Sequence, residues 1–418
     1  MVSEAERESI WRNRAFHAYL GALSFSGIAT SMHQLLVSWL LIGVLVLPAT
    51  QVGSLQALIG LPGIFLVLWG GVIADRSDPR TILIYLFALA PALTLGLIAV
   101  DQANALTVWP VTLWGLGMSA AIAFSSAPQL TLLNRIAGDS MQQGVGLTTA
   151  LTFLTQVVGL AVAGQMERLG LTPVLVVQAA SLALAAVTLR RLAPQPATLS
   201  RARTSAWHGV REGLRAIRDH RVLRDTLLIN FVSSIFNAGA FMTVFPFIIK
   251  RLYDGDVWLL ATMLVVFYAA AMLANLLLIK IMPIARPGRA FLLLQLSRIV
   301  FLMLLWIEPD WWLLVVAIIA WGMNMGVTTT LARTVVQESA AARFRARILS
   351  VYHLSLLGSP LIGALILGWI IESFGTLSAL LPGMITSLAL FIYGAALTDV
   401  WRYRSPWQRR ENEKANPA

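Results

Sequence analysis

Twelve apolar runs divide the sequence, and each is long enough to cross a bilayer. A helix needs roughly 20 apolar residues to span a hydrocarbon core of about 30 Å. The chain of 418 residues is 58% hydrophobic and only 12% charged, which is more apolar surface than a soluble domain can bury. The pattern predicts an all-α membrane protein with spans near residues 15–45, 51–73, 81–100, 106–129, 142–165, 172–190, 226–249, 257–281, 289–307, 311–332, 347–371 and 376–398.

Basic residues fall almost entirely on one side of these predicted spans. With the N-terminus placed in the cytoplasm, 27 of the 31 lysines and arginines lie in cytoplasmic segments and three in outer loops. Cytoplasmic loops of membrane proteins normally carry this excess. The asymmetry predicts that both termini are cytoplasmic, and it accounts for the net charge of +11 without a nucleic-acid partner. The remaining basic residue, Arg298, lies inside the ninth span.

The sequence lacks the residues and motifs that several kinds of chemistry require. There is no cysteine, and none of the five histidines has a metal-ligand spacing. Neither a nucleotide-binding loop nor a hydrolase motif is present. The sequence therefore indicates a protein that is not an enzyme, with no cofactor and no metal. The first apolar segment is too long for the core of a signal peptide, so we expect it to be retained as a span.

The longest polar interval separates two groups of six spans. Together with Arg190 at the end of the sixth span it carries nine of the basic residues, and it begins with a proline-bearing, arginine-rich stretch. We predict a cytoplasmic N-tail, an N-terminal six-helix bundle, a cytoplasmic linker, a C-terminal six-helix bundle and a basic cytoplasmic tail, with boundaries at 1–14, 15–190, 191–224, 225–400 and 401–418.

Within this linker, apolar residues recur at three- and four-residue steps. Trp207, Val210, Leu214 and Ile217 form the stripe, and arginines occupy the other positions. Such spacing predicts an amphipathic basic helix. We expect it to lie at the cytoplasmic headgroup level, where basic side chains meet anionic lipid.

The two groups of spans contain matching segments in the same order. Three pairs recur at offsets of 203 to 207 positions. Repetition at nearly one offset predicts a parallel duplication of a six-helix unit. The pairs are residues 114–118 with 321–325, residues 167–170 with 372–375, and Gly27, Ser31 and Gln34 with Asn230, Ser234 and Asn237.

A charged turn joins the second and third spans. Residues 71–80 read Gly-Val-Ile-Ala-Asp-Arg-Ser-Asp-Pro-Arg. The turn resembles the loop signature of the major facilitator superfamily, Gly-x-Leu-x-Asp-Arg-x-Gly-Arg-Arg. Residues 78 and 79 depart from that pattern. The matching positions are Gly71, Asp75, Arg76 and Arg80.

The loop variant, the chain length and the Gly358, Pro360 and Gly363 pattern resemble the drug and siderophore exporters of this superfamily, including the enterobactin exporter group. The resemblance implies a monomeric secondary transporter of the bacterial inner membrane that works by alternating access. The expected activity is export of a bulky amphipathic small molecule, with protons as the coupling ion. An importer, a lysophospholipid mover and a non-transporting assembly factor or sensor remain open alternatives.

The resemblance also implies that spans one, four, seven and ten line a substrate cavity. Polar residues recur on one face of spans one and seven, and polar groups are costly against lipid. Packing between helices is the alternative explanation for the polar residues, and equally for each Trp or Met. The candidate cavity residues are Ser31, Gln34, Ser38, Trp114, Met118, Asn230, Ser234, Asn237, Trp321, Asn324 and Met325.

In the family, the charged turn is part of a cytoplasmic latch. Gly71 permits close packing of spans two and eleven, and Asp75 caps the start of span eleven. Arg343, Arg345 and Arg347 cluster where that span should begin, so we expect them to pair with Asp75 or Asp78.

Few titratable residues lie within the spans. His33 and His353 are the candidates for proton coupling. Glu167 and Glu372, at repeat-related outer ends, are either titrating groups or ordinary interfacial charges. Arg298 either attracts an anionic substrate or pairs with a polar group such as Asn324.

Overall fold

The computed structural model describes residues 13–137, 141–195, 206–341 and 344–406. These residues are helical apart from their connections, and twelve helices are long and apolar enough to cross a membrane. The all-α fold predicted from the sequence is confirmed. The spans lie within Arg14–Val44, Ala49–Val67, Pro79–Gln102, Val108–Ala137, Gln143–Leu169, Leu171–Arg190, Arg221–Arg251, Val257–Ile281, Pro287–Trp306, Trp311–Ser339, Arg347–Phe374 and Leu377–Ala396.

Fifteen α-helices make up this described part of the chain. Five-residue π-helical turns, Leu40–Val44 and Ala240–Val244, continue α1 and α9, and a short 3₁₀ helix, Leu377–Leu380, precedes α15. In order, α1 to α15 are Arg14–Trp39, Ala49–Arg76, Pro79–Gln102, Val108–Ala137, Met141–Ala163, Met166–Leu169, Leu171–Arg190, Ala206–Asp219, Arg221–Gly239, Phe245–Arg251, Val257–Ile281, Pro287–Trp306, Trp311–Ser339, Arg345–Phe374 and Leu381–Ala396.

The chain divides into two compact units. Unit 1 comprises the described parts of Met1–Val46, Leu58–Arg203 and Gly255–Val265. Unit 2 comprises those of Leu47–Ala57, Thr204–Asp254 and Val266–Ala418. The first residues of α2 therefore belong to unit 2, and the first residues of α11 belong to unit 1.

Backbone geometry supports the duplication that the sequence indicates. Gly170 has φ 91° and ψ 161°, and Gly375, 205 positions later, has φ 90° and ψ 161°. A side chain rarely tolerates positive φ, so both positions favour glycine. The π-helical turns at Leu40–Val44 and Ala240–Val244 are likewise 200 positions apart. The two halves thus share irregular features as well as helix order.

Small residues bring particular helices together inside each unit. In unit 1, a Cβ atom added at Gly27 on α1 would lie 2.5 Å from Thr155 Oγ1 on α5. In unit 2, a Cβ atom at Gly363 on α14 would lie 2.8 Å from the Cα of Gly239 on α9. Because interiors are densely packed, neither glycine position has room for a methyl group.

The linker helix α8 forms where the apolar stripe predicts a helix, and it packs on α14. A Cβ atom at Gly213 would lie 2.8 Å from the backbone oxygen of Arg347, and the side chain of Arg347 pairs with Glu212. Ile217 of the stripe is buried against the protein, whereas Leu214 is 51% exposed. Close approach at Gly213 turns Leu214 away from α14. The location of α8 at the headgroup level stays a prediction.

Candidate functional site

Arg298 lies in the middle of α12 and is only 3% exposed. Its Nη1 donates to Ser233 Oγ on α9, and also to Gln295 Oε1 one turn earlier on α12 at 3.0 Å. Its Nη2 donates to Asn324 Oδ1 on α13 at 3.3 Å. The contact with Asn324 expected from the sequence is therefore present, and four polar residues of unit 2 form one buried cluster.

Hydrogen-bond donors outnumber acceptors in this cluster. Gln295 Oε1 accepts from both Ser233 Oγ and Arg298, and Asn324 Oδ1 accepts from Arg298 and from Thr328 Oγ1. Each carbonyl oxygen has two lone pairs, so both are fully used. Two buried donor nitrogens of the cluster, Arg298 Nε and Gln295 Nε2, have no acceptor among the described residues, and neither has Nδ2 of Asn230, which lies one turn before Ser233 on α9. The cluster combines one positive charge with spare donors.

Aromatic side chains from α11, α13 and the π-helical turn after α9 form a second group in unit 2. Trp321 is fully buried, and its indole Nε1 donates to Asn237 Oδ1 at 2.9 Å. Phe241, which is half-buried, stacks on Phe267 with ring centroids 4.0 Å apart and meets Trp321 edge-on at 5.6 Å. Edge-to-face and offset-stacked arrangements are those that aromatic pairs favour. Asn237 and Trp321 are thus one hydrogen-bonded unit, with Phe241 at its more accessible side.

The polar stripe predicted on α1 separates into different environments. Ser31 is buried, and its Oγ donates to the backbone oxygen of Thr155 on α5 at 3.1 Å, inside unit 1. Gln34 is exposed and accepts from Gln156 Nε2 at 3.4 Å. Ser38 is buried, and its Oγ has no partner among the described residues. Of the three, Gln34 is the one with a freely accessible side chain.

His33, Trp114 and Met118 meet inside unit 1. The rings of His33 and Trp114 are edge-to-face at 4.8 Å, and His33 Nε2 lies 3.4 Å from Ser119 Oγ. Trp114 Nε1 donates to Thr94 Oγ1 at 3.3 Å. All three predicted residues are less than 10% exposed. They form a packed interior between α1, α3 and α4.

The residues of the predicted latch are only partly described. Asp78 caps α3 by accepting from the backbone nitrogens of Arg80 and Thr81, and the Arg80 side chain donates to the backbone oxygens of Leu189 and Arg190. These bonds tie the charged turn to the end of α7. Arg345 is exposed, Arg343 lies outside the described residues, and the burial of Gly71 and the side chains of Asp75 and Arg76 are likewise not described. The latch stays a prediction.

Two carboxylates at repeat-related helix ends accept hydrogen bonds from helix N-termini. In unit 1, Glu167 Oε1 accepts from Trp39 Nε1 at 3.0 Å and from the backbone nitrogen of Val257, the first residue of α11, at 3.4 Å. In unit 2, Glu372 Oε2 accepts from the backbone nitrogen of Ala49, the first residue of α2, at 3.0 Å. Glu372 also pairs with Arg251 at 3.7 Å. The duplicated glutamates therefore make duplicated contacts.

Some predicted site residues lie outside the clusters described above. Two residues that contact Arg298 were not predicted. Ser234 and Met325 are half-buried, and His353 is exposed on α14. Ser233 and Gln295 contact Arg298 directly but were not among the sequence candidates. The sequence could have indicated Gln295, because it lies three residues before Arg298 and residues three apart on a helix are neighbours.

The chain matches the family model described as Major Facilitator Superfamily over residues 19–352. Comparison with curated proteins gives no match. Among solved structures, a point mutant of the nucleoside transporter NupG is similar with a TM-score of 0.76 and 13% identity, covering 91% of this chain and 99% of that one.

Two further structures show the same fold. A bacterial homolog of the human lysosomal transporter Spinster, inward-facing and unoccupied, has a TM-score of 0.64 and 16% identity, covering 94% of this chain and 96% of that one. A structure from a study of proton dependent oligopeptide transporters has a TM-score of 0.70 and 8% identity, covering 93% of this chain and 99% of that one. These identities support the fold alone. The family model covers well over half of the chain, and the chain belongs to the major facilitator superfamily.

Proposed function

We propose that this protein is a secondary active transporter that works by alternating access and exports a bulky amphipathic small molecule. Membership of the superfamily supports the transport class, and the three solved structures named above are of transporters. The bilayer and a small-molecule substrate are its expected partners. We further propose that it acts as a monomer in the bacterial inner membrane, with both termini cytoplasmic.

The aromatic group around Phe241 is the observation that supports the proposed substrate class. It offers one half-buried ring backed by Phe267 and Trp321, with the amide of Asn237 beside it. Apolar and aromatic walls with a few placed polar groups are typical of sites for drug-sized ligands. Such a wall favours a bulky amphipathic molecule over a sugar, whose hydroxyls need many hydrogen-bond partners.

Protons are the coupling ion in this proposal, and His33 and His353 are the candidate coupling groups. Glu167 and Glu372 are either further proton-binding groups or ordinary interfacial charges. Glu167 and Glu372 each hold a helix N-terminus through a carboxylate oxygen. Protonation removes the negative charge that favours this position. Binding of a proton would therefore weaken the cap and release the first turn of α2 or α11.

The charged turn is proposed to stabilise one of the two transport states. Asp75→Asn removes the charge that the family resemblance assigns to the latch. We expect lower flux with nearly normal expression. Unchanged flux would remove the latch from the account.

A cellular experiment tests the proposed function directly. Deletion of the gene should make cells hypersensitive to some members of a panel of toxic amphipathic compounds, and those compounds should accumulate inside. The wild-type gene should restore resistance, whereas Phe241→Ala should restore it poorly. Reduced uptake in the deletion strain would instead identify an importer. Unchanged accumulation of every compound would contradict export.

A further inference from the structure

We propose that the cluster around Arg298 is a binding site for a monovalent anion, formed by Arg298, Gln295 and Asn230. The ligand is a small anionic group, either a free ion or the carboxylate of the transported molecule. Only a carboxylate of the transported molecule, as the source of the anionic group, rests on the proposed function. The site itself does not require that the protein transports anything.

The first argument is the charge. Arg298 is 3% exposed, and its three partner residues Ser233, Gln295 and Asn324 are all neutral. A buried charge is costly unless it is paired. The acidic residue nearest to Ser233 along α9 is Asp225, eight residues away or about 12 Å along the helix, and it pairs with Arg224. No described carboxylate pairs with Arg298.

The second argument is the donor surplus. The acceptor oxygens of Gln295 and Asn324 each already receive two hydrogen bonds, so they have no lone pair left for the remaining donors. Arg298 Nε, Gln295 Nε2 and Asn230 Nδ2 are buried donors without an acceptor in the described part of the chain. Gln295 lies one turn before Arg298, and Asn230 one turn before Ser233. An anion supplies both the acceptors and the missing charge.

The chemistry of the site indicates a monovalent ligand. One guanidinium balances one negative charge, whereas a dianion would leave a second charge buried. Guanidinium and amide N–H groups match the planar oxygens of a carboxylate, and they also coordinate a halide. A buried water would accept hydrogen bonds from the donors but would leave the charge of Arg298 unbalanced.

Gln295→Glu is the sharpest test, because it places a carboxylate where the anion is proposed to bind. The variant keeps the oxygen that accepts from Arg298 and replaces only Nε2, which has no partner. We expect its melting temperature in a gluconate buffer to exceed that of the wild type. Gln56→Glu is the matched control, since Gln56 is also about 1% exposed but bonds Met242 and Thr243 through both side-chain ends. We expect the control to melt lower.

The second measurement is thermal unfolding of the purified full-length protein with added chloride, formate or benzoate, at constant ionic strength against gluconate. A ligand that binds only the folded state raises the melting temperature with its concentration. We expect this rise in the wild type and no rise in Gln295→Glu. Asn230→Leu removes one spare donor and should weaken the apparent anion affinity about tenfold, with little change in melting temperature without added anion.

The anions themselves distinguish the two sources. If chloride raises the melting temperature and benzoate does not raise it further, the ligand is a free ion. If benzoate raises the melting temperature more than chloride does, the ligand is a carboxylate on a larger molecule. The proposal is overturned if no anion stabilises the wild type more than gluconate does. It is equally overturned if added anions still raise the melting temperature of Gln295→Glu, or if Gln295→Glu lowers the melting temperature in gluconate as much as Gln56→Glu does. None of these readouts depends on transport, so the proposed function is tested separately.

Discussion

Glu372 accepts a hydrogen bond from the backbone nitrogen of Ala49 at 3.0 Å, so the last turn of α14 caps the first residue of α2. The first nitrogens of a helix have no partner inside the helix, and a carboxylate there also interacts favourably with the helix dipole. Glu167 makes the equivalent contact with Val257 at the start of α11. Both caps sit at the outer ends that the charge distribution predicts for these segments.

Replacing either glutamate by glutamine should loosen one helix start and leave the other unchanged. Glu372→Gln loses the charge and the pairing with Arg251, and we expect a loss of about 0.3–1 kcal/mol because the carboxylate is partly exposed. Amide hydrogen exchange should increase in residues 49–53 of α2. Glu167→Gln should increase exchange in residues 257–261 of α11 instead. Equal exchange at both helix starts in both variants would contradict the caps.

The hydrogen bond between Trp321 and Asn237 should stabilise the folded protein in addition to the packing of the two side chains. Asn237→Leu leaves the buried indole N–H without an acceptor, and we expect a loss of about 1–3 kcal/mol. Trp321→Phe removes the donor and should also destabilise, through lost volume. Adding Asn237→Leu to Trp321→Phe should cost clearly less than Asn237→Leu alone, as measured by thermal unfolding in detergent. Strict additivity would show that the bond contributes nothing.

Gly363→Ala should destabilise the protein because α9 and α14 touch at this point. A Cβ atom there would lie 2.8 Å from Gly239 Cα, so the helices must separate, at a cost of about 1–3 kcal/mol. Gly96→Ala on α3 is the control, since a Cβ atom there meets nothing within 4 Å. Its melting temperature should match or exceed that of the wild type. A similar loss in both variants would indicate an effect of helix flexibility rather than of packing.

Tyr253, in the connection between α10 and α11, should make stability fall at alkaline pH. Its hydroxyl donates to the backbone oxygen of Pro309 at 2.7 Å, and burial, together with Glu308 and Asp310, raises its pKa above the usual value. The folded protein therefore holds this proton more tightly than the unfolded chain. The resulting stability is complete below a pH of about 10 and is lost as the pH rises beyond it. Tyr253→Phe should show a smaller alkaline loss than the wild type; an identical loss would contradict this assignment.

The spans could be predicted because apolar length is a local pattern, and the duplication could be predicted because matching segments recur at nearly one offset. Apolar length and basic loops identify helices one at a time. The partner of Arg298 was also predictable in outline. A lone charge inside a span must find polar groups, and Asn324 is the amide on the predicted polar wall of span ten.

The exact faces of the helices could not be predicted. The sequence placed Ser234 on the polar stripe of α9, yet Ser233 contacts Arg298; neighbouring residues on a helix point about 100° apart. Ser31 was a cavity candidate because it lies on the polar face of span one; the structure shows it buried, with its Oγ donating to the backbone oxygen of Thr155 on α5, close to where Gly27 lets the two helices approach. Which helix lies behind a polar residue depends on tertiary packing, and a single sequence does not reveal it.

Flux measured in liposomes containing the purified protein tests the central claim most directly. An amphipathic compound identified by hypersensitivity should cross the membrane faster when a pH gradient is imposed, and collapse of the gradient should abolish the acceleration. Phe241→Ala should reduce the flux, and the combined Glu167→Gln and Glu372→Gln variant should lose its dependence on the gradient. Flux equal to that of protein-free liposomes, for every compound of the panel and with either sign of the gradient, would contradict the account.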